Sequence, residues 1–238
     1  MLLLFIKSII NLNMPKQQVC LKKSYTDDKL EIGIDEAGRG PLFGRVYSAA
    51  VVLPKDDSFD HSKMKDSKKF TSEKKIIEVA EYIKQNALAW SVQYSCEKDI
   101  DKYNILKATQ LTMHKCIHEI TETNIFQNTE LKNCMLLVDG NYFTPYMFHR
   151  DNDMLSINYT CIKGGDNEYS AIAAASILAK VERDKYIEEL CNDHPYLCEH
   201  YSINTNKGYG AKKHLDGIKN HGITKWHRKS FGICKTFS

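Results

Sequence analysis

The chain has 238 residues, 42% of them hydrophobic and 26% charged, which supports a packed core and excludes a disordered or collagen-like chain. Its net charge is only +3, so overall charge assigns no polyanionic partner. The balance is uneven: residues 207–238 carry eight Lys or Arg against one acid, Asp216. That basic end suits a phosphate backbone, although a solvated helix face has the same look. The eight cysteines are scattered without a CxxC pair. This argues for thiols in a reducing, cytoplasmic compartment and against a disulfide framework or a zinc site.

In chain order, residues 1–28 read as a flexible or dispensable leader, with Met14 as a second candidate start. Lys7 interrupts its apolar stretch, no small-residue cleavage site follows, and the stretch is too short to span a bilayer. "KLEIGIDEA" is expected to be a strand, and "RVYSAAVVLP" a second one, ended by Pro54. Its unbroken apolar run "SAAVVL" places that strand centrally in a sheet. A helix is expected from Thr71, as N-cap, to about Gln85. "ALAWSVQYS" follows as a strand, and "DKYNILKATQLTMHKCIHEI" as one amphipathic helix. "NCMLLVDG" and "MLSINYTCIKGGD" read as two further strands, each ending at an acid beside glycine. "YSAIAAASILAKVERDKYIEELC" is a long alanine-rich helix, and "AKKHLDGIKNHG" a short one in the tail. Strands mixed with helices imply an α/β layered domain over residues 29–195, with a basic helical part over 196–238.

Three strand ends carry acids: Asp35 with Glu36, then Asp139, then Asp166. One such acid is an ordinary turn residue. Three together repel one another and raise each other's pKa unless a cation sits among them, and hard divalent cations take oxygen ligands. Neighbours on a strand point to opposite faces. Asp35 and Glu36 can therefore serve one site only if the chain leaves the pleat there, which Gly38 and Gly40 are expected to allow.

"GIDEAGRGPLFG", "MKDSKKFT", "LLVDGN", "KGGDNEYSAIAAASILAKVERD", "NKGYG" and "HRKSF" occur in this order. Together they closely resemble type 2 ribonuclease H, ribonuclease HII, over most of the chain. The resemblance implies an RNase H-like fold, a mixed central sheet flanked by helices with a small helical C-terminal subdomain. It implies an endonuclease that cuts the RNA strand of RNA–DNA hybrids and incises 5′ of single ribonucleotides in duplex DNA. The products would be 3′-hydroxyl and 5′-phosphate ends, made with two Mg²⁺ or Mn²⁺ ions on Asp35, Glu36, Asp139 and Asp166. The glycine–arginine–glycine loop that reads the 2′-hydroxyl matches Gly38, Arg39 and Gly40, and the junction-sensing tyrosine matches Tyr209. Asp66, Ser67, Lys68 and Lys69 match a motif near the substrate phosphates, with Lys69 the expected substrate contact. The chain is expected to act as a monomer off the membrane, with a sliding-clamp type partner left open.

The chain departs from the family pattern in four places. Two glycines precede Asp166 where one is usual, leaving Glu168 as a second candidate ligand. Arg45 stands where proline is common, Ala211 where threonine is usual, and the connection before "NKGYG" is long. His114 and His118 lie one helical turn apart without a third ligand and read as packing residues, as do Trp90, Trp226 and Ser176. The rivals are a hybrid-binding module without catalysis, type 3 ribonuclease H, and another nuclease of the RNase H fold. The intact set of four acids, the short N-terminal segment and the glycine–arginine–glycine loop respectively argue against them.

Overall fold

A computed structural model describes residues 20–150 and 152–237. The expectations for residues 1–19, including the alternative start, lie outside the described residues. A five-stranded sheet forms the centre, in the order β3–β2–β1–β4–β7. Its strands are β1 (Leu30–Ala37), β2 (Val46–Val52), β3 (Ala89–Ser95), β4 (Cys134–Asp139) and β7 (Asn158–Ile162). β1 and β2 are antiparallel, as are β2 and β3, while β4 runs parallel to both β1 and β7. Every residue of β2 is buried, as its continuous apolar run requires of a strand covered on both faces. A separate hairpin pairs β5 (Met147–Arg150) with β6 (Asp153–Ser156).

Helices cover both faces. The long α5 (Ser170–Asp193) crosses one face against β1 and β2, and α3 (Ile105–Thr121) packs on the other. The alanines of α5 allow a very close approach: a Cβ on Gly33 would lie 2.2 Å from the Ala171 carbonyl carbon. On the α5 side, the core joins Phe43, Val51, Ile177 and Leu178 to Ile203 and Ile218 of the C-terminal part. On the α3 side, Ile32, Ile34, Met113, Ile117 and Leu136 form a second core. The C-terminal part contains α6 (Tyr196–Tyr201), α7 (Ile203–Asn206) and α8 (Lys212–His221). Residues 20–28 are tied on as well: Lys22 bridges to Tyr169, and the buried Glu31 accepts the Tyr25 N–H at 2.9 Å.

Three expectations are corrected. The helix α1 (Glu73–Asn86) has Ser72, not Thr71, at its N-cap. The single helix expected after β3 is two, α2 (Glu97–Tyr103) and α3, because Asn104 takes φ +66° and caps α3 through its side chain on the Lys107 N–H. The short α4 (Asn124–Gln127) follows. The strand expected over "MLSINYTCI" is divided between β6 of the hairpin and β7 of the main sheet. Among the described residues, no helix is long and apolar enough to cross a membrane.

Candidate active site

The site lies where the sheet opens. Pairing of β1 with β4 stops at Ile34–Val138, while β1 continues beside β2 to Ala37. Parallel strands that diverge at their carboxyl ends leave a crevice, the usual ligand position in open α/β sheets. Asp35 and Glu36 of β1, and Asp139 at the end of β4, stand at that crevice. The chain does not leave the pleat at Asp35; it stays regular through Ala37. Asp35 lies on the α5 side with Gly33, and Glu36 on the α3 side with Ile34. The two acids meet at the end of the sheet from its two faces.

Asp35 is only 5% exposed. It accepts the Glu36 N–H at 2.7 Å and a hydrogen bond from the Ser176 hydroxyl, which lies 3.0 Å from that of Ser67. Burial, then the negative charges of Glu36 and Asp139, push its pKa well above the usual carboxylate range. Burial also raises Glu36, against the opposing pull of Arg39, whose guanidinium is 3.2 Å away. Asp139 is raised by burial and by Asp166, although the Gly165 N–H donates to it at 2.7 Å. Asp166 is 4% exposed, with Lys68 at 3.8 Å and the Asn167 amide at 3.0 Å.

The doubled glycine places Asp166 and Glu168 differently. Gly164 adopts φ +70° and starts a tight turn over Gly165–Asn167. Gly165 has no room for a side chain, since a Cβ there would lie 2.5 Å from Ile172. The turn carries Asp166 inward beside Asp139, while Glu168 faces solvent and pairs with Lys22 at 2.7 Å.

A cleft of about 480 Å³ runs from Glu36 along residues 37–40 to Lys68, Ser176, Arg183 and Tyr209. Gly38 has φ +90°, and a Cβ on it would strike the Arg183 side chain at 2.2 Å. A Cβ on Gly40 would lie 3.5 Å from the ring of Tyr209, itself 50% exposed, so the loop and the tyrosine form one wall. Lys68 lines this cleft. Lys69, the expected contact, donates to the Asn167 side chain next to Asp166. On the other side of Glu36, a small cavity of about 60 Å³ reaches Asp139, Gly140 and Tyr142.

Two functional features escaped the sequence reading. Ser176, read as packing, touches Asp35 and lines the cleft. Arg228 of "HRKSF" is fully buried and donates to five carbonyls, those of Gly38, Arg39, Pro41, Gly44 and Arg45. The contiguous motif was visible, but its partners lie more than 180 residues away. Burial and nearby Arg183 lower its pKa to about 9, so it stays charged at neutral pH. Arg45 lies between the rings of Tyr94 and Tyr186, at 4.0 and 4.2 Å from their centroids. His114 and His118 bond Thr144 and Tyr146, as packing residues do.

The donor set is all oxygen: four carboxylates, two of which have Arg39 and Lys68 beside them, while burial and like charge dominate at Asp35 and Asp139. This fits a hard divalent cation. Among the described residues no group of three or more such side chains is placed to hold a metal ion by itself.

A mixed sheet flanked by helices, with carboxylates gathered beside its parallel strands, is the arrangement of the RNase H-like fold. The family model for ribonuclease HII matches residues 32–234. A ribonuclease HII of Parabacteroides distasonis is 43% identical over 205 residues, covering 86% of this chain and 91% of the relative. Among solved structures, RNase HII in the PCNA complex from Archaeoglobus fulgidus superposes with a TM-score of 0.61 at 24% identity, covering 85% of this chain and 95% of that one. Bst-RNase HIII in complex with Mn²⁺ gives 0.58 at 17% identity, covering 89% and 70%. The chain belongs to the ribonuclease HII family, a family of metal-dependent endonucleases of the ribonuclease H class.

Proposed function

We propose that the chain cleaves the RNA strand of RNA–DNA hybrids and incises 5′ of single ribonucleotides in duplex DNA, leaving 3′-hydroxyl and 5′-phosphate ends. The observation that carries this reading is the shared wall: the backbone of residues 38–40 and the exposed Tyr209 ring face one cleft that begins at Glu36. Asp35, Glu36, Asp139 and Asp166 would hold two Mg²⁺ or Mn²⁺ ions. When bound, such ions activate water and stabilise a leaving oxygen. The chain's own groups do the rest. Gly38 and Gly40 let the backbone come close to a ribose, where N–H and C=O groups can both pair with a 2′-hydroxyl. Arg39 and Lys68 meet the phosphates on either side of the carboxylates, and Lys69 stands behind them on Asn167. Tyr209 stacks on the sugar or base beside the junction. The basic part over 196–238 holds the duplex backbone without reading sequence.

The test is a duplex carrying one ribonucleotide, incubated with Mg²⁺, with Mn²⁺ or with EDTA, and mapped at nucleotide resolution. Incision on the 5′ side of the ribonucleotide with either metal, and none with EDTA, is the expected result. Equal cutting in EDTA, or cutting only in continuous RNA, overturns the reading.

A further inference from the structure

Tyr209 is supported from below by two buried histidines. His214 of α8 is fully buried, and its Nδ1 lies 2.8 Å from the Tyr209 carbonyl oxygen. Its Nε2 lies 3.1 Å from Nε2 of His227, which is 1% exposed. Nδ1 of His227 lies 2.9 Å from the Thr224 backbone nitrogen. A backbone N–H can only donate, so His227 Nδ1 is an acceptor and the His227 proton sits on Nε2. That proton is donated to His214 Nε2, which leaves the His214 proton on Nδ1, aimed at the Tyr209 carbonyl. The tautomers follow from this network. Burial lowers both pKa values, that of His227 to about 3 with His214 adding to the effect, so both rings are neutral as the single-proton bond requires. Phe43 meets the His227 ring edge-on with centroids 5.1 Å apart, and Tyr201 packs on it at the same separation. The Ala211 N–H shares the Tyr209 carbonyl at 2.8 Å.

The next residue, Arg228, clamps the carbonyls of Gly38 and Arg39. Adjacent residues of one segment thus hold the two elements that form the cleft wall. We propose that His214 and His227 are positioning residues: the imidazole pair fixes Tyr209 relative to the 38–40 loop, and recognition of a ribonucleotide junction depends on it. This rests on the role given to Tyr209 above. The pair touches none of the four carboxylates, so it acts on which substrate is cut and leaves the chemistry of the cut alone.

The experiment compares kcat/KM for a single-ribonucleotide duplex and a continuous hybrid in the wild type, Tyr209→Ala, His214→Leu and His214→Asn. Tyr209→Ala should lower the ratio of the first to the second. His214→Leu should lower it in the same direction, on the order of tenfold, as expected for a displaced binding group. His214→Asn keeps an amide donor near the Nδ1 position and should restore part of the loss. An unchanged ratio in folded His214→Leu, alongside a lowered one in Tyr209→Ala, overturns the positioning role. An unchanged ratio in Tyr209→Ala overturns the tyrosine's role, and this inference with it. If His214→Leu does not fold, ¹⁵N spectra of the wild-type imidazoles decide. Protons on His214 Nδ1 and His227 Nε2 support the proposal, and the reverse tautomers overturn it.

Discussion

The crevice at the end of the sheet and the polar cluster under the C-terminal part treat buried polar groups in opposite ways. At the crevice, Asp35 and Asp139 are raised in pKa by burial and by one another's neighbours. Under the C-terminal part, Arg228 finds five carbonyls, and His214 and His227 are bonded at both ring nitrogens. The first region is left incomplete, so a ligand gains by completing it. The second is complete in itself, so it holds its neighbours in place. Buried polar groups are mostly satisfied, strongly shifted ones gather at functional sites, and this molecule carries both kinds.

The largest effect that can break this comparison is expected at Asp139. Asp139→Asn should lower turnover on the order of 10³-fold, about 4 kcal/mol of transition-state stabilisation. It should also raise the melting temperature of the protein in EDTA, because one of the repelling charges is gone. The same logic gives a pH dependence. The carboxyls of Asp35, Glu36 and Asp139 have folded pKa values above their ordinary ones. They therefore favour folding while protonated, and that contribution is lost as pH rises through the folded values. Because Asp56, Asp57, Asp60 and Glu168 are shifted the opposite way, the crevice is read from a difference: in EDTA the stability of Asp139→Asn relative to the wild type should grow as pH climbs from the ordinary carboxylate range toward neutrality, and a divalent ion should reverse it. A difference that stays constant with pH would contradict the incomplete crevice.

The next effect concerns the completed cluster. Arg228→Met removes five donors and strands buried carbonyls, and should destabilise the fold by at least about 3 kcal/mol in denaturant titrations. A loss near zero would mean that the clamp on residues 38–45 is dispensable. The smallest effect sharpens the boundary between the two regions. Ala211 is the N-cap of α8 and offers the first turn no side-chain acceptor. Ala211→Thr should add about 0.5–1 kcal/mol of stability, read from the same titration.

Much of the site was legible in the sequence because its residues are contiguous. "DEAGRG" placed two acids and the loop together, and "LLVDGN" ended a strand as read, whereas Asp166 of "KGGD" lies not at the end of β7, which stops at Ile162, but in the turn that follows it. Periodicity and the apolar run fixed β2 as central. What stayed hidden depended on distant partners or on conformation. Nothing local in "HRKSF" says that its arginine reaches carbonyls of residues 38–45, or that its histidine meets another beneath Tyr209. Asn104 interrupts a helical pattern only through its positive φ, which no neighbouring Gly or Pro announces. The apolar alternation of "MLSINYTCI" continues through Ile157, so the switch from hairpin to main sheet leaves no mark. The expected bend at Asp35 was unnecessary, because the strand's own end brings both faces to one opening.

The central claim is a division of labour: the carboxylates cut, and the loop with Tyr209 decides where. It is tested most directly by measuring kcat/KM on a single-ribonucleotide duplex and on a continuous hybrid for Asp139→Asn and Tyr209→Ala. The account predicts that Asp139→Asn lowers both by a similar factor, while Tyr209→Ala lowers the single-ribonucleotide value far more than the hybrid value. A Tyr209→Ala variant that loses both equally, or an Asp139→Asn variant that loses only one, would contradict it.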